Sequence, residues 1–563
     1  MNIINKLEDS IKKIILLSIQ ECINNNIFPN IQIGDINVEQ PREKEHGEFS
    51  TNIAMLIVKQ AKMAPIIIAK NIIEHMDLSN SYVEKATSAG PGFINFYLNS
   101  QWLYENMKYI LEAKEQYGES DYGQNKSVIV EYVSANPTGP LHMGNARGGA
   151  LGDLIAKVLS KAGFKVYKEF YVNDAGNQIE KFGNSLEARY LQELLGEDKV
   201  VFPEDGYQGV DIINHVKKYI EEGLENLLDK DSDYRKKTLV EYALPKNIAN
   251  IKKGLKRYGI TYDNWFSEKT LYNEGYVDET INYLIKNGYT IEKEGALWLK
   301  GEAMGVEKDE VIRRSNGFPT YFAADIAYHY NKFIVRKFDI GIDLLGADHH
   351  GHVARMKGAM DVIGVGKDKL DIVLFQLVRL YRNGEVAKMS KRTGKAISLD
   401  DLLDEISVDA ARFFFNMKAS GSHLDFDLDL AKQQSNDNPV FYIQYAHARI
   451  CSLLRIMEQE GIDINNKSHI DYTLLKEDSE IKLMKKLAEY TNEIIISAKT
   501  LEPSRLTRYV LDVASLFHSF YNACRVKGVE SQLQKSRIAL VKATKIVLKN
   551  TLEVLSISAP EKM

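Results

Sequence analysis

The chain has 563 residues, too many for one hydrophobic core; at roughly 150 residues per domain it should divide into three or four units. Its 44% hydrophobic and 26% charged residues are ordinary for a soluble globular enzyme, and a net charge of −5 does not by itself announce a nucleic-acid partner. Three scattered cysteines, Cys22, Cys451 and Cys524, form no CxxC pair, which argues against zinc and a disulfide framework and for a reducing cytoplasm.

The first 20 residues lack a signal-peptide core, and no apolar run reaches about 18 residues, so neither secretion nor a membrane span is expected. Residues 2–23 carry a helical pattern, with Ile4, Leu7, Ile11, Ile14, Ile15 and Ile19 on related faces. Residues 52–59 and 66–75 read as two more helices, Gly90-Pro91-Gly92 as a turn, and residues 93–98 as an alternating strand. This predicts an N-terminal α+β domain over 1–115.

Residues 128–133 are β-rich, 147–161 helical with Gly163 as C-cap, and 166–172 a strand again. That is a βαβ unit, hence an α/β domain with a parallel sheet covered by helices, predicted over 116–435. A polar helical insertion at about 194–291 interrupts the sheet, which resumes at 340–345 and 372–377. Beyond Asn436 the pattern is all-helical, with four long helices at 440–457, 480–500, 503–522 and 534–555, an all-α bundle over 436–563. Leu501 to Met563 carries 10 Lys and Arg against 5 Asp and Glu, a weak hint of an anionic partner.

Chemistry concentrates in two segments about 240 residues apart. The first is Ser134-Ala135-Asn136-Pro137-Thr138-Gly139-Pro140-Leu141-His142-Met143-Gly144-Asn145, where a strand gives way to a helix. Open parallel sheets bind ligands at the carboxyl ends of their strands. Pro137 and Pro140 stiffen the turn, Gly139 and Gly144 permit close approach and unusual φ, and Asn145-Ala146 opens a helix whose free N–H groups favour phosphate. His142 can donate to a phosphate oxygen. No nucleophile or general base is present, which suits nucleotidyl transfer driven by positioning and electrostatics. The second segment, Lys388-Met389-Ser390-Lys391-Arg392-Thr393-Gly394-Lys395, is a basic loop able to close on a triphosphate and stabilise a departing pyrophosphate. Alone, either would pass for an ordinary loop; the pair points to ATP-driven adenylate chemistry.

These segments resemble the HIGH and KMSKS signatures of class I aminoacyl-tRNA synthetases, and the whole chain is similar to bacterial-type arginyl-tRNA synthetases. Gly346-Ala347-Asp348-His349-His350-Gly351-His352, residues 438–449 and the terminal Ala559-Pro560-Glu561-Lys562-Met563 are further landmarks. Two positions depart from the signatures, Asn145 for the last His of HIGH and Arg392 for the last Ser of KMSKS. The resemblance implies a Rossmann-type catalytic domain and ligation of L-arginine to tRNA(Arg) with ATP and Mg²⁺, without zinc, by a cytoplasmic monomer that needs tRNA for its first step.

A guanidinium is planar, permanently charged and rich in donors, so its pocket needs carboxylates. Tyr321 and Asp325, at helical i, i+4 spacing, are the expected side-chain recognition pair. By the resemblance, Glu131, Ser134 and Asn136 hold the substrate's α-amino and carboxyl groups, with His349, where some family members carry a glutamine, a further arginine-binding position. Gly139, Pro140, His142, Gly144, Asn145, Gly346, Asp348, Lys388, Met389, Ser390 and Lys391 make the ATP site, with His142, Asn145, Lys388 and Lys391 acting on the phosphates. Phe93 and Asn95 would meet the tRNA D-loop, and some of Tyr442, Tyr445, His447 and Arg449 the anticodon.

Overall fold

The β-rich run becomes the strand Ser127–Glu131, whose Val128, Ile129 and Val130 have no exposed surface, as a strand covered on both faces requires. It lies at the middle of a five-stranded parallel sheet in a computed structural model that describes residues 2–41, 43–387, 397–465 and 470–563. In spatial order the strands are Leu370–Phe375, Ile340–Gly346, Ser127–Glu131, Lys165–Val172 and Asn264–Ser267. The chain leaves the central strand to one side and returns on the other, and this reversal opens a crevice at the strands' carboxyl ends.

Asn264–Ser267 falls inside the expected insertion and corrects its limits. Its four residues are too few to show a β period against the helical pattern around them. The helices Asn177–Leu195, Val210–Glu221 and Ser232–Arg257 precede it and enclose their own core around Phe182, Leu186, Ile212, Val216 and Leu239. A three-stranded antiparallel sheet follows, Thr290–Lys293, Ala296–Leu299 and Glu310–Arg313.

In the N-terminal domain the helix Ile3–Asn24 buries the expected isoleucine face, and Phe93–Leu98 is the middle strand of an antiparallel sheet. The helix expected at 52–59 breaks at Ile57 into Ile53–Leu56 and Val58–Ala61. Near the C-terminus, Pro439–Gln459, Ser504–Ala523 and Ser531–Leu555 form as expected, whereas 480–500 is two helices, Asp478–Ala488 and Tyr490–Thr500, meeting at Glu489.

The bundle docks on the α/β domain through Arg412, which has no exposed surface. It donates to Asp153 Oδ2 at 2.5 Å, the Tyr258 carbonyl at 3.1 Å, the Leu555 carbonyl at 3.5 Å and Ser556 Oγ at 3.0 Å. Among the described residues no helix is long and apolar enough to cross a membrane.

Candidate active site

Past Glu131 the backbone reverses through Val133 at φ 72° and Ser134 at φ 39°. A β-branched residue in this left-handed region is strained by about 1–3 kcal/mol and persists only where its surroundings fix it. Here they do. Ser134 Oγ accepts the Tyr171 N–H at 3.1 Å and donates to Glu131 Oε1 at 2.9 Å, while Asn173 Nδ2 donates to the Ser134 carbonyl at 3.0 Å. The unusual φ therefore lies upstream of Gly139 and Gly144, neither of which has positive φ. At Gly144 a side chain would meet nothing within 4 Å, so that glycine keeps the turn open from outside.

The following helix is Met143–Lys161, capped by His142, two residues earlier than the sequence suggests. Asn145 Oδ1 accepts the His142 N–H at 3.0 Å, so its oxygen is committed to the helix start; His142 and Gly144 are exposed. The insertion braces the turn, because Asn247 Nδ2 donates to the Pro137 carbonyl at 3.0 Å and His215 holds Asn247 at 2.6 Å. Arg147, 1% exposed, ties the helix to the Gln376 and Ala419 carbonyls at 2.6 and 3.0 Å.

Lys388, Met389, Ser390 and Lys391 lie outside the described residues. The chain that resumes at Ile397 is bonded to the turn, with Leu399 N–H donating to the Leu141 carbonyl at 2.9 Å and Ser398 bridging to His142. The described residues that follow the second segment thus meet the first at this edge. Gly346 ends its strand there, and Asp348 and His349 follow, both exposed, with 3.7 Å between His349 Nε2 and Asp348 Oδ2.

Beside the turn stands the helix Tyr321–Tyr330, capped by Thr320. Tyr321 is 48% exposed, and its hydroxyl accepts the Asn177 N–H at 3.1 Å. Gly176, at φ 73°, lets the ring pack close, since a Cβ there would lie 3.2 Å from that hydroxyl. Asp325 opens to solvent over 40% of its side chain but is walled by protein elsewhere. Burial, with Glu131 and Asp343 adding repulsion against the opposing pull of His329 and Lys332, pushes its carboxyl up to about 7, an effect that water at the opening tempers.

A second acid went unnoticed in the sequence. Glu268 starts the helix Glu268–Asn273, directly after the strand Asn264–Ser267, and is 3% exposed. Burial, then Asp325 and Asp174, push it up to about 8. Its signal was its position, an acid one residue beyond a strand's carboxyl end, and it was hidden because the strand itself was not recognised. Three residues beyond His349 stands another histidine, His352. His352 Nε2 lies 3.4 Å from Asp325 Oδ2, and burial followed by Arg355 holds the ring down at about 4, so it is neutral at pH 7. Asn136 is exposed.

Of the residues expected at tRNA, two are taken up inside. Asn95 is 4% exposed in the middle strand, accepting from Ser50 Oγ at 2.9 Å, and His447 is 1% exposed, its Nδ1 donating to the Pro560 carbonyl at 2.8 Å. In this structure neither can read a base. Phe93 and Tyr442 are half-buried. Tyr445 is 38% exposed and stacks on Phe441 and His518 with centroids 6.3 and 6.0 Å apart, while Arg449 lies 4.0 Å over the Tyr521 ring. Of these rings Tyr445 is the exposed one, with the Arg449 guanidinium 5.9 Å from its centre.

Three family models match the chain. They are the arginyl tRNA synthetase N terminal domain over residues 1–98, the tRNA synthetases class I (R) catalytic domain over 106–422, and the DALR anticodon binding domain over 443–563. The chain is similar to the arginine–tRNA ligase of Acetivibrio thermocellus, 62% identical over 562 residues and 100% of both chains. It is also similar to that of Ruminiclostridium cellulolyticum, 59% identical with the same coverage. Its fold matches the Thermus thermophilus arginyl-tRNA synthetase structure with a TM-score of 0.76, at 21% identity over 99% of this chain and 100% of that one.

Proposed function

From the premise that the chain belongs to the class I arginyl-tRNA synthetases, we propose how its residues divide the work of an arginine–tRNA ligase. The enzyme charges tRNA with arginine at the expense of ATP. In the first step an arginine carboxylate oxygen attacks the α-phosphorus of ATP, the bond to the β-phosphate bridging oxygen breaks, and pyrophosphate leaves. In the second, the 2′-hydroxyl of the terminal adenosine of tRNA(Arg) attacks the adenylate carbonyl, and AMP leaves.

His142, Gly144 and Asn145 hold the phosphates at the start of a helix of 19 residues, with Gly139 and Pro140 shaping the approach. Gly346 and Asp348 flank the ribose. Lys388 and Lys391 stabilise the departing pyrophosphate, beside Met389, Ser390 and the Mg²⁺ that arrives with ATP. No step calls for zinc. Asp325 and Glu268 form the guanidinium seat, Tyr321 closes it, and neutral His352 orients Asp325. Glu131, Ser134 and Asn136 take the α-amino and carboxyl groups. Tyr445 and Arg449, with the edge of Tyr442, receive anticodon bases, and Phe93 meets the D-loop. The enzyme works as a cytoplasmic monomer and needs tRNA for the first step.

The observation that carries the reading is the pair Asp325 and Glu268, which stand on helices packed against each other, with the charge of Asp325 bearing on Glu268. Two carboxylates sharing a site repel one another unless a cation joins them, and a planar fork can engage both. ATP–pyrophosphate exchange with each amino acid, with and without tRNA, tests it. Exchange with arginine, dependent on tRNA, is expected; exchange with lysine in place of arginine would overturn the substrate, and full exchange without tRNA would remove the tRNA requirement.

A further inference from the structure

Beneath the pocket lies a chain of buried charge that the reaction as described does not use. After Tyr330 the pocket helix continues as a π-helical turn, Asn331–Val335. Such turns are uncommon and often mark functional positions. This one contains Lys332, whose side chain has no exposed surface. Its ammonium donates to Glu131 Oε2 at 2.6 Å and Asp343 Oδ1 at 2.8 Å, and lies 4.1 Å from the centre of the Tyr328 ring. Asp343 Oδ2 is 2.8 Å from His329 Nε2, and His329 Nδ1 donates to the Asp325 carbonyl at 2.8 Å.

A lysine is almost never fully buried unless something requires it, because removing its charge from water costs more than one contact returns. Lys332 forms its bonds with two carboxylates at once. Glu131, with 12% of its side chain exposed, shows an edge to the pocket. One of its oxygens takes Ser134 Oγ and the other takes Lys332, and each keeps a lone pair.

We propose that Lys332 is a positioning residue for arginine activation, holding the Glu131 carboxylate aimed so that its free lone pairs receive the substrate's α-ammonium. The proposal rests on the assignment of Glu131 to that group. Burial, with the charge of Asp343 beside it, raises the Glu131 carboxyl against the pull of Lys332, so losing that cation favours the protonated acid further. A protonated carboxyl is a poor partner for an ammonium. The titratable groups facing Glu131 are Lys332, His329, Asp325 and Tyr328 of the pocket helix and its extension, Asp343 of the adjoining strand, and Tyr171 and Tyr262 beyond.

The test compares binding of L-arginine with that of 5-guanidinopentanoate, the same molecule without its α-amino group, to the full-length protein by calorimetry between pH 6 and 8.5. The affinity ratio isolates the α-ammonium, because the guanidinium seat acts on both ligands. In Lys332→Met the ratio should fall on the order of tenfold or more at pH 7 and recover toward pH 8.5 as Glu131 ionises, and Lys332→Arg should restore it. If Lys332→Met is not recovered folded, K332M/D343N removes one cation and one anion together and must show the same fall. A ratio unchanged in these variants but collapsed in Glu131→Gln would overturn the role of Lys332 alone. A ratio unchanged in Glu131→Gln itself would instead overturn the assignment of Glu131, and the proposal with it.

Discussion

The proposed guanidinium seat and the proposed phosphate turn share one edge of one sheet but handle charge in opposite ways. The seat pairs a buried acid with a partly open one, Glu268 raised to about 8 and Asp325 to about 7 before any ligand arrives. The turn offers exposed groups, His142 and the open backbone at Gly144, on a helix start that its own capping and the insertion hold in place. A discriminating site gains from stored repulsion that only the right cation relieves, whereas a site for ATP, common to every enzyme of its class, needs only donors at fixed positions. On this view arginine recognition is built into the ligand-free fold, whereas the phosphate turn waits on its nucleotide.

The contrast breaks first at Asp325. Asp325→Ala should lower kcat/KM for arginine by about 2–5 kcal/mol, chiefly through KM, because it removes the acid that faces both His352 and Glu268. Unchanged kinetics would empty the seat of its meaning. His142→Ala should lower the adenylation rate on the order of 10²–10³-fold in single-turnover assays while arginine binding stays constant. An equal loss of arginine affinity would show that the two regions are not separate.

Glu268→Gln should weaken arginine by about 1–3 kcal/mol in equilibrium binding, less than the loss of Asp325. It also sharpens the comparison through pH. A carboxyl whose folded pKa is raised binds its proton more tightly folded than unfolded. Its contribution to stability is therefore full below the ordinary carboxylate range and is lost as pH rises through about 8. The ligand-free enzyme should lose melting temperature between pH 6 and 8.5, Glu268→Gln should lose less, and saturating arginine should narrow the gap. Arginine affinity should rise over the same interval, as the seat ionises. The smallest effect belongs to the bundle. Tyr445→Ala should raise the KM for tRNA by about 1–3 kcal/mol at unchanged melting temperature, and His447→Ala should do the reverse. Matching effects would mean that burial does not separate readers from scaffold.

Much of this was legible in the chain. The βαβ unit, the all-helical C-terminal region and the two signature segments are strong because each spans many residues of consistent pattern. What failed failed for physical reasons. Asn264–Ser267 is short and lies between helices, so the fifth strand and the acid beyond it were lost together. Glycine advertises freedom of φ, yet the strained residues are Val133 and Ser134, held by hydrogen bonds from a neighbouring strand that no local pattern reveals. Asn95 and His447 sit at positions whose chemistry suits RNA, but only packing decides which face of a strand or helix meets water. Lys332 reads as one more surface lysine until the π turn carries it inward.

Arg412 gives the molecule a schedule. Asp153, on the helix that begins at the phosphate turn, meets its cation 259 residues later in sequence and Ser556 403 residues later. At roughly 5–20 residues per second a ribosome needs on the order of 20–80 s to cover that second span. Throughout it that helix carries a carboxylate without its last partners, and contacts of such long range are slow to form. The boundary near residue 436 is therefore a seam in sequence pattern but a poor place to cut. A catalytic fragment ending there would keep Arg412 while losing two of the four acceptors that receive it, and the newborn enzyme has the same gap until its final helix docks.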